Sequence, residues 1–323
     1  MSMKISIALA SYNGSAYIKE QLDSFLMQTR LPDELIISDD VSSDNTVEII
    51  NNFINDAPFR VILIKNDVNL GFTSNFEKAI QHCTGDLIFI SDQDDFWLPN
   101  KIEYMSTYMQ NHPGLFIAVN NTEITDKNLT PTGITKISQV KRLQGGLSGF
   151  IPGCCSVFRS NMCKLYLPFS AEYQSYDGWL HFIGSTIESR DIVFKVLQYY
   201  RLHGSNTSEY AVNVKRELTI FDRFKYIWKR VVFDRSGIKK TSIEQQIALC
   251  EILKYKVEGL LSESPLDSSM INNHNMIVSK VDMLKYRLKI MEKGRLGRMV
   301  ALLKIDSRKH KISFKTMISD FIG

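Results

Sequence analysis

Ser91-Asp92-Gln93-Asp94-Asp95-Phe96-Trp97 follows the apolar run Leu87-Ile88-Phe89-Ile90. A short continuous apolar run ended by polar turn residues reads as a buried strand. Three carboxylates within four residues at the carboxyl end of that strand repel one another. At least one tends to protonate unless a cation lies between them. Clusters of this type suit hard divalent cations, and Mg2+ commonly takes one or two carboxylates together with substrate phosphates. Asp94 or Asp95 equally fits the N-cap of a helix opening near Leu98-Pro99. The motif alone leaves a metal site for a phosphorylated ligand and a helix cap both open.

The preceding residues repeat the same unit. Lys4–Ala10 is a short apolar strand that ends in the turn cluster Ser11-Tyr12-Asn13-Gly14. Ile18, Leu22, Phe25 and Leu26 give helical spacing within Ser15–Gln28. Leu35–Ser38 is a second strand, closed by Asp39-Asp40, and Ser43-Asp44-Asn45 supplies cap residues for the next helix. Val61–Ile64 is a third strand, Ser74–His82 a helix, and Leu87–Ile90 the fourth strand. Strands alternating with helices of this length predict βαβ units and a mainly parallel sheet. Ligands of such sheets bind beyond the carboxyl ends of the strands. Tyr12-Asn13, Asp39-Asp40 and Asp92/Asp94 all fall at that edge, and capping alone explains three such clusters poorly.

Further on, the pattern predicts strands at Leu115–Val119 and Cys155–Phe158, a strand pair or one long strand over Ile192–Tyr200, and a helix opened by Asp177 that reaches about Ser185. From about Asn213 it is helical, with a Ser/Asn-rich loop over Ser262–Asn275 and a further apolar and basic stretch at Leu284–Ile305. A length of 323 residues fits one large domain with an appendage, expected at 1–210 and 211–323. The 44% hydrophobic content supports a core, and no run approaches the roughly 18 apolar residues of a spanning helix. The N-terminus enters a strand at once and has no signal-peptide form. Cys83, Cys154, Cys155, Cys163 and Cys250 show no CxxC pair and no zinc spacing, as expected of free thiols in a reducing cytoplasm. Residues 1–210 carry 16 Lys and Arg against 23 Asp and Glu, whereas residues 211–323 carry 23 against 12, a balance of +11.

Ala10-Ser11-Tyr12-Asn13-Gly14, Ser38-Asp39-Asp40 through Thr46, Asn69-Leu70-Gly71 and Ser91–Trp97 occur in that order. Together they resemble the family 2 glycosyltransferases, which have the GT-A fold: an α/β nucleotide-sugar-binding sheet flanked by helices. The resemblance covers about residues 4–207. The form Ser-Asp-Gln-Asp-Asp-x-Trp resembles a bacterial rhamnosyltransferase-like subgroup. Gly153-Cys154-Cys155, Tyr176–Leu180 and Tyr200–Asn206 match that subgroup too.

The resemblance implies that Asp92 and Asp94 form a DxD motif holding Mg2+ or Mn2+ against a nucleotide diphosphate. Asp94 is then the direct ligand, and Asp92 lies toward the ribose or a metal-bound water. Asp95 either supports them or caps a helix. Tyr12 would stack on the base, and Asp39, with Asp40, would accept from its ring N–H. Asn13-Gly14 lets the backbone approach the ligand. Asp177, beside Tyr173, Tyr176 and Trp179, is the expected general base of an inverting transfer. Gly178 stands where the family usually has a bulkier residue, which suggests a roomier acceptor site. His203 would complete the metal site or touch the diphosphate, Arg201 would reach the diphosphate, and Gly153 would let backbone pack close to a sugar. Trp97 is a pocket wall or a core residue, and Lys101 is expected on the surface.

The implied enzyme moves a sugar, rhamnose from dTDP-rhamnose or a hexose from a UDP-sugar, to a saccharide acceptor, free or lipid-linked, of a surface polysaccharide. Phe221, Phe224 and Trp228 interleave with Arg223, Lys225, Lys229 and Arg230. That pattern suits an anionic bilayer surface, and equally a packed helical subdomain. It would put a cytoplasmic protein peripherally on the inner face of the plasma membrane. Two rival readings are weaker. A sugar nucleotidyltransferase needs a basic Gly-rich loop after the first strand, and Ser11–Gly14 lacks one. A nucleic-acid-binding protein built on the basic tail is opposed by the acidic first 210 residues.

Overall fold

The computed structural model describes residues 3–147, 150, 152–169, 175–204, 212–233, 237–263 and 268–291. The expectations placed on Tyr173, Ser205, Asn206, the Lys229 and Arg230 side chains and residues 292–305 lie outside what is described.

The first part is β1 (Ile5–Ser11), α1 (Ile18–Leu26), β2 (Glu34–Asp39), α2 (Thr46–Asp56), β3 (Arg60–Lys65), α3 (Phe72–Gln81) and β4 (Leu87–Ser91). β1 pairs parallel with β2 and with β4, and β2 pairs parallel with β3. Ile5, Ile7, Leu9, Leu35, Ile37, Leu87 and Phe89 point into one core with Ile18, Leu22 and Phe25 of α1. Ala8, Ile36, Ile88 and Ile90, at the alternate positions, are also fully buried. Both faces are covered, which is why these strands read as unbroken apolar runs rather than alternating ones. Each large side chain so buried contributes about 1.5–3 kcal/mol.

The chain continues through β5 (Phe96–Trp97), α4 (Lys101–Asn111), β6 (Ile117–Thr125), β7 (Pro131–Thr135), α5 (Lys136–Gln144), β8 (Ser156–Arg159), α6 (Cys163–Tyr166), α7 (Tyr176–Thr186) and β9 (Arg190–Arg201). The strand order is β3-β2-β1-β4-β8-β6-β9-β5, with β7 pairing β6 off this path. The parallel arrangement holds for the first four strands. The rest is mixed: β8 is antiparallel to both β4 and β6, β6 and β9 are parallel, and β5 is antiparallel to β9. The strand order turns back at β1, which sits between β2 and β4. Open α/β sheets bind ligands at such a switch point.

Two helices follow, α9 (Gly237–Glu263) and α10 (Ser268–Met291), after α8 (Ile220–Phe233). α10 overturns the expected loop at Ser268–Asn275. Asn273, Ile277, Val281 and Leu284 are buried at helical spacing, so tertiary packing outweighs a Ser/Asn-rich composition. Glu251 pairs with Lys285 at 2.8 Å and Glu258 with His274 at 3.1 Å, so α9 and α10 run antiparallel. The chain divides into two compact units, residues 1–185 with 189–223, and residues 186–188 with 224–323. No helix among the described residues is long and apolar enough to cross a membrane.

Leu9 is fully buried in β1, the strand at which the strand order turns back. Leu9→Ala should cost about 2–5 kcal/mol, read as a lower urea midpoint at an unchanged slope. A loss below about 1 kcal/mol would contradict this packing.

Candidate active site

Strand register builds the site. Ser11 lies beside Asp39, and Leu9 beside Ser91, so the turns after β1, β2 and β4 leave the sheet at one edge. Gln93 ties two of them together. Its Oε1 accepts from the Tyr12 N–H at 2.9 Å, and its Nε2 donates to the Tyr12 carbonyl at 3.0 Å. A Cβ on Gly14 would sit 2.1 Å from Gln93 Oε1, so the glycine admits this clasp. The Tyr12 ring is half exposed at the rim.

Asp39 and Asp40 are each only 2% exposed, and their carboxylates are occupied by protein. Asp39 accepts from Ser11 Oγ at 2.8 Å and from Ser42 N and Oγ at 2.9 and 2.6 Å. Asp40 accepts from Asn66 Nδ2 at 2.9 Å, Leu70 N at 2.7 Å and Gly71 N at 2.9 Å. In this structure both residues fasten loops, and Tyr12 stands half exposed beside them. Val41, between Ser42 and these carboxylates, is a β-branched residue held at φ 65°. Such strain persists only where the surroundings over-determine it, typically at functional sites. Asn13, at φ 46°, accepts from Ser43 N at 2.8 Å and donates its N–H to Ser42 Oγ at 2.9 Å. Burial pushes Asp44 up, but hydrogen bonds from Thr46 and Ser15 prevail and hold it at about 2.

The acidic loop lies between β4 and β5. α4 opens at Lys101 after Asn100, with no side-chain cap bond, so neither Asp94 nor Asp95 caps it. Each carboxylate has its own surroundings. Asp94 Oδ2 lies 2.8 Å from His203 Nε2, and the Asp94 carbonyl accepts from Arg201 Nε at 2.9 Å. Asp95 is fully buried. Its Oδ2 accepts from Gln198 Nε2 at 2.9 Å, and its Oδ1 is buried without a hydrogen-bond partner. Burial, then the Asp94 charge, push Asp95 up to about 6. Burial, then the charges on Asp95 and Asp94, push Asp92 well above the carboxylate range. One oxygen each of Asp92 and Asp95 and the Cys154 thiol lie within 4.8 Å of one another.

This donor set fits a hard divalent cation. Asp92 and Asp94 carry carboxylates, His203 an imidazole and Asp95 a buried oxygen without a partner, and these are the groups that could hold such an ion. The cluster is electrostatically unfavourable without a cation.

Arg201 is 1% exposed. Its guanidinium donates to the carbonyls of Asp94 and Lys127, at 2.9 and 2.7 Å, and to Glu20. It holds the loop from behind. Trp97 takes the core role, fully buried 4.9 Å from Phe25 and 5.8 Å from Phe89 between ring centroids. Lys101 overturns its surface expectation: it is fully buried. A lysine opening a helix after Pro99-Asn100 reads as solvated. The distant Cys154 carbonyl, Gln198 and the Trp97 ring that receive its ammonium leave no local trace in the sequence.

Asp177 opens α7 beside Gly153. A Cβ on Gly153 would meet Tyr176 Oη at 2.2 Å, so only glycine lets the Tyr176 ring lie across this turn. Burial raises Asp177 above the ordinary carboxylate range, although hydrogen bonds from Ser175, Gly178 and Gly153 oppose it. The same turn carries Cys154, so Gly153-Cys154 links Asp177 to the acidic loop. Beside His203 a cavity of about 530 Å3 is lined by Tyr17, Lys127, Leu202, Gly204, Asn213, Val214 and Lys215. The sequence pointed to Asp94 and His203, which meet. It gave no sign of Gln93, Gln198 or Lys101.

The sheet, its strand-order reversal at β1 and the acidic loop at that edge match the GT-A fold of solved glycosyltransferases. The chain belongs to glycosyltransferase family 2: the family described as "Glycosyl transferase family 2" matches residues 6–167. It is therefore a glycosyltransferase acting on nucleotide sugars. It is 30% identical over 207 residues to the Escherichia coli UDP-Glc:alpha-D-GlcNAc-diphosphoundecaprenol beta-1,3-glucosyltransferase WfaP, over 63% of this chain and 79% of that one. WfgD of the same organism, with the same described activity, is 28% identical over 68% of this chain and 86% of its own. The fold matches S. aureus TarS in complex with UDP-GlcNAc, with a TM-score of 0.54 at 16% identity, covering 99% of this chain and 90% of that one. It also matches the mannosyltransferase PcManGT of Pyrobaculum calidifontis, in complex with GDP-Man and Mn2+, with a TM-score of 0.50 at 12% identity over 100% of this chain and 86% of that one.

Asp40→Asn would replace one of the two acceptor oxygens by an N–H2 donor, so that either the Leu70 or the Gly71 N–H loses its acceptor. Deuterium exchange of at least one of those two amides should rise tenfold or more, with about 1–3 kcal/mol lost from stability. Unchanged protection would remove Asp40 from its fastening role.

Proposed function

We propose that the protein is an inverting, metal-dependent transferase that moves a hexose from a UDP-sugar to a lipid-linked saccharide in the assembly of a bacterial surface polysaccharide. The observation that carries this reading is the acidic loop at the strand-order reversal, with Asp94 against His203 and a buried, unpartnered Asp95 oxygen. Asp92, Asp94 and His203 would hold Mg2+ or Mn2+, which supplies Lewis acidity toward the departing diphosphate. Mn2+ in the PcManGT complex agrees with that choice. Tyr12 would stack on the base, and the strained Asn13 and Val41 turns shape the wall around it. Lys127 and Lys215 line the adjacent cavity and offer positive charge to an anionic leaving group.

Asp177 would take the proton of the acceptor hydroxyl as its oxygen attacks the anomeric carbon, opposite the bond to the diphosphate. Burial raises its basicity for that work. The described activities of WfaP and WfgD favour UDP-glucose over dTDP-rhamnose as donor, and a diphospholipid-borne amino sugar as acceptor.

A lipid-borne acceptor calls for contact with the bilayer. On α8, Phe221, Phe224 and Trp228 are 79%, 63% and 70% exposed, at spacings of three and four residues that share one helix face. Lys225 is exposed among them, and residues 211–323 carry the +11 balance. Exposed aromatics flanked by cations suit the interface of an anionic leaflet. The protein would then work peripherally at the cytoplasmic face of the plasma membrane.

Glucose transfer from UDP-glucose to a GlcNAc-diphospholipid should need Mn2+ or Mg2+ and fall by about 10^2–10^4-fold in Asp177→Asn, with UDP-sugar affinity kept. Because the base must be deprotonated, kcat/KM should fall as pH drops through a pKa above the ordinary carboxylate value of about 4. Full activity in Asp177→Asn contradicts its role, and preference for dTDP-rhamnose contradicts the donor.

The intact protein should co-sediment with vesicles containing phosphatidylglycerol, weakly with neutral ones, and less after Trp228→Ala with Phe224→Ala. Equal sedimentation with both vesicle types removes the membrane role.

A further inference from the structure

Lys101 is fully buried at the start of α4. Its ammonium donates to the Cys154 carbonyl at 3.0 Å and to Gln198 Oε1, and lies 3.7 Å from the Trp97 ring centre. A buried ammonium is retained only where hydrogen bonds and charge compensate its lost hydration. No carboxylate touches it. The chain of contacts runs instead through Gln198, whose Nε2 donates to Asp95 Oδ2 at 2.9 Å and lies 3.5 Å from Cys154 Sγ. Gln198 is fully buried on β9 and pairs in register with Trp97 of β5. Both ends of its amide are thus engaged, one by a cation and the other by an anion.

We propose that Lys101 is a positioning residue, which holds the Gln198 amide so that Asp95 is aimed with its free oxygen toward Asp92 and the cation site. The inference rests on the metal reading above and deepens it. Three features carry it. Asp95 has two oxygens, and only the one facing Gln198 is hydrogen-bonded, so that bond sets the direction of the other. Lys101 carries no acceptor, so Gln198 must turn its oxygen to it and its N–H2 to Asp95. Without Lys101, the Gln198 oxygen is left buried and unpaired, at a cost that favours rotation of the side chain away from Asp95. Burial draws Lys101 down to about 8, which leaves it charged at neutral pH. Groups that orient metal ligands from behind typically change metal affinity or activity by about 10–100-fold.

The test titrates Mn2+ alone into the full chain, as wild type, Lys101→Met, Gln198→Met and the double variant. Deuterium uptake at Gln93–Phe96 is followed in the metal-free proteins. Each single variant should bind Mn2+ about tenfold or more weakly and take up deuterium faster at that loop. The double variant should be no weaker than either single one, because both act along one chain. Phe53→Ala, which empties a buried position on α2 against Phe59 and touches none of the relay residues, should keep wild-type Mn2+ affinity, so that lost stability alone does not account for weaker binding in Lys101→Met. If Lys101→Met does not fold, Gln198→Met decides by the same two readouts. Wild-type affinity and uptake in the single variants overturn the proposal, as does a double variant whose loss is the product of the two. Wild-type protein that fails to bind Mn2+ overturns the metal reading instead, and the uptake comparison then decides the role of Lys101 alone.

Discussion

The mutual repulsion of Asp92, Asp94 and Asp95 is the constraint around which this site is built. Two of the three are pushed upward by burial and by one another. At separations of a few ångströms in a partly buried setting, each such pair costs on the order of several kcal/mol unless compensated. The fold answers with groups brought from far along the chain. His203 meets Asp94, Arg201 grips the Asp94 backbone, and Gln198 meets Asp95. All three sit on β9 or just beyond it, and β9 pairs with β5, directly after the acidic loop. The strand that pairs with the segment just after the acidic loop is therefore also the strand that steadies the charge.

The rest of the edge is tied to that loop. Gln93 clasps the Tyr12 backbone, Asp39 joins Ser11 to Ser42, and Asp40 draws in the loop at Asn66–Gly71. These bonds fix the turns after β1, β2 and β4 relative to one another before any ligand arrives. Such preorganisation makes a diphosphate site effective, because little reorganisation remains when charge develops on the leaving group. On the other side of the Gly153 turn, Asp177 is desolvated and made more basic. In the function proposed above, neighbouring carboxylates would take opposite tasks, one group to hold a cation and one to receive a proton.

Much of this was legible in the sequence, because parallel strands buried on both faces leave apolar runs and the polar clusters at their ends stand out. β1 to β4, their helices and the edge carrying Tyr12, Asp39 and Asp94 follow from pattern alone, and the ordered motifs named the family. β7, α5 and the polar half of β6 did not announce themselves. Asn120–Thr125 is buried by pairing with β9, not by apolar character. Lys101 read as surface because its acceptors lie more than fifty residues away. Asp39, Asp40 and Arg201 have residue types that suit ligand contact, yet the structure engages them with protein. Which oxygen a carboxylate keeps free is a tertiary fact that no local spacing encodes.

The central claim is that the acidic loop and a nucleotide diphosphate share one cation. The most direct measurement is the calorimetric affinity of UDP with and without Mn2+, in the wild type and in Asp94→Asn. If the cation is shared, Mn2+ strengthens UDP binding by tenfold or more, UDP strengthens Mn2+ binding equally, and Asp94→Asn loses that coupling while the fold stays intact. UDP affinity indifferent to Mn2+, or coupling that survives in Asp94→Asn, would contradict the account.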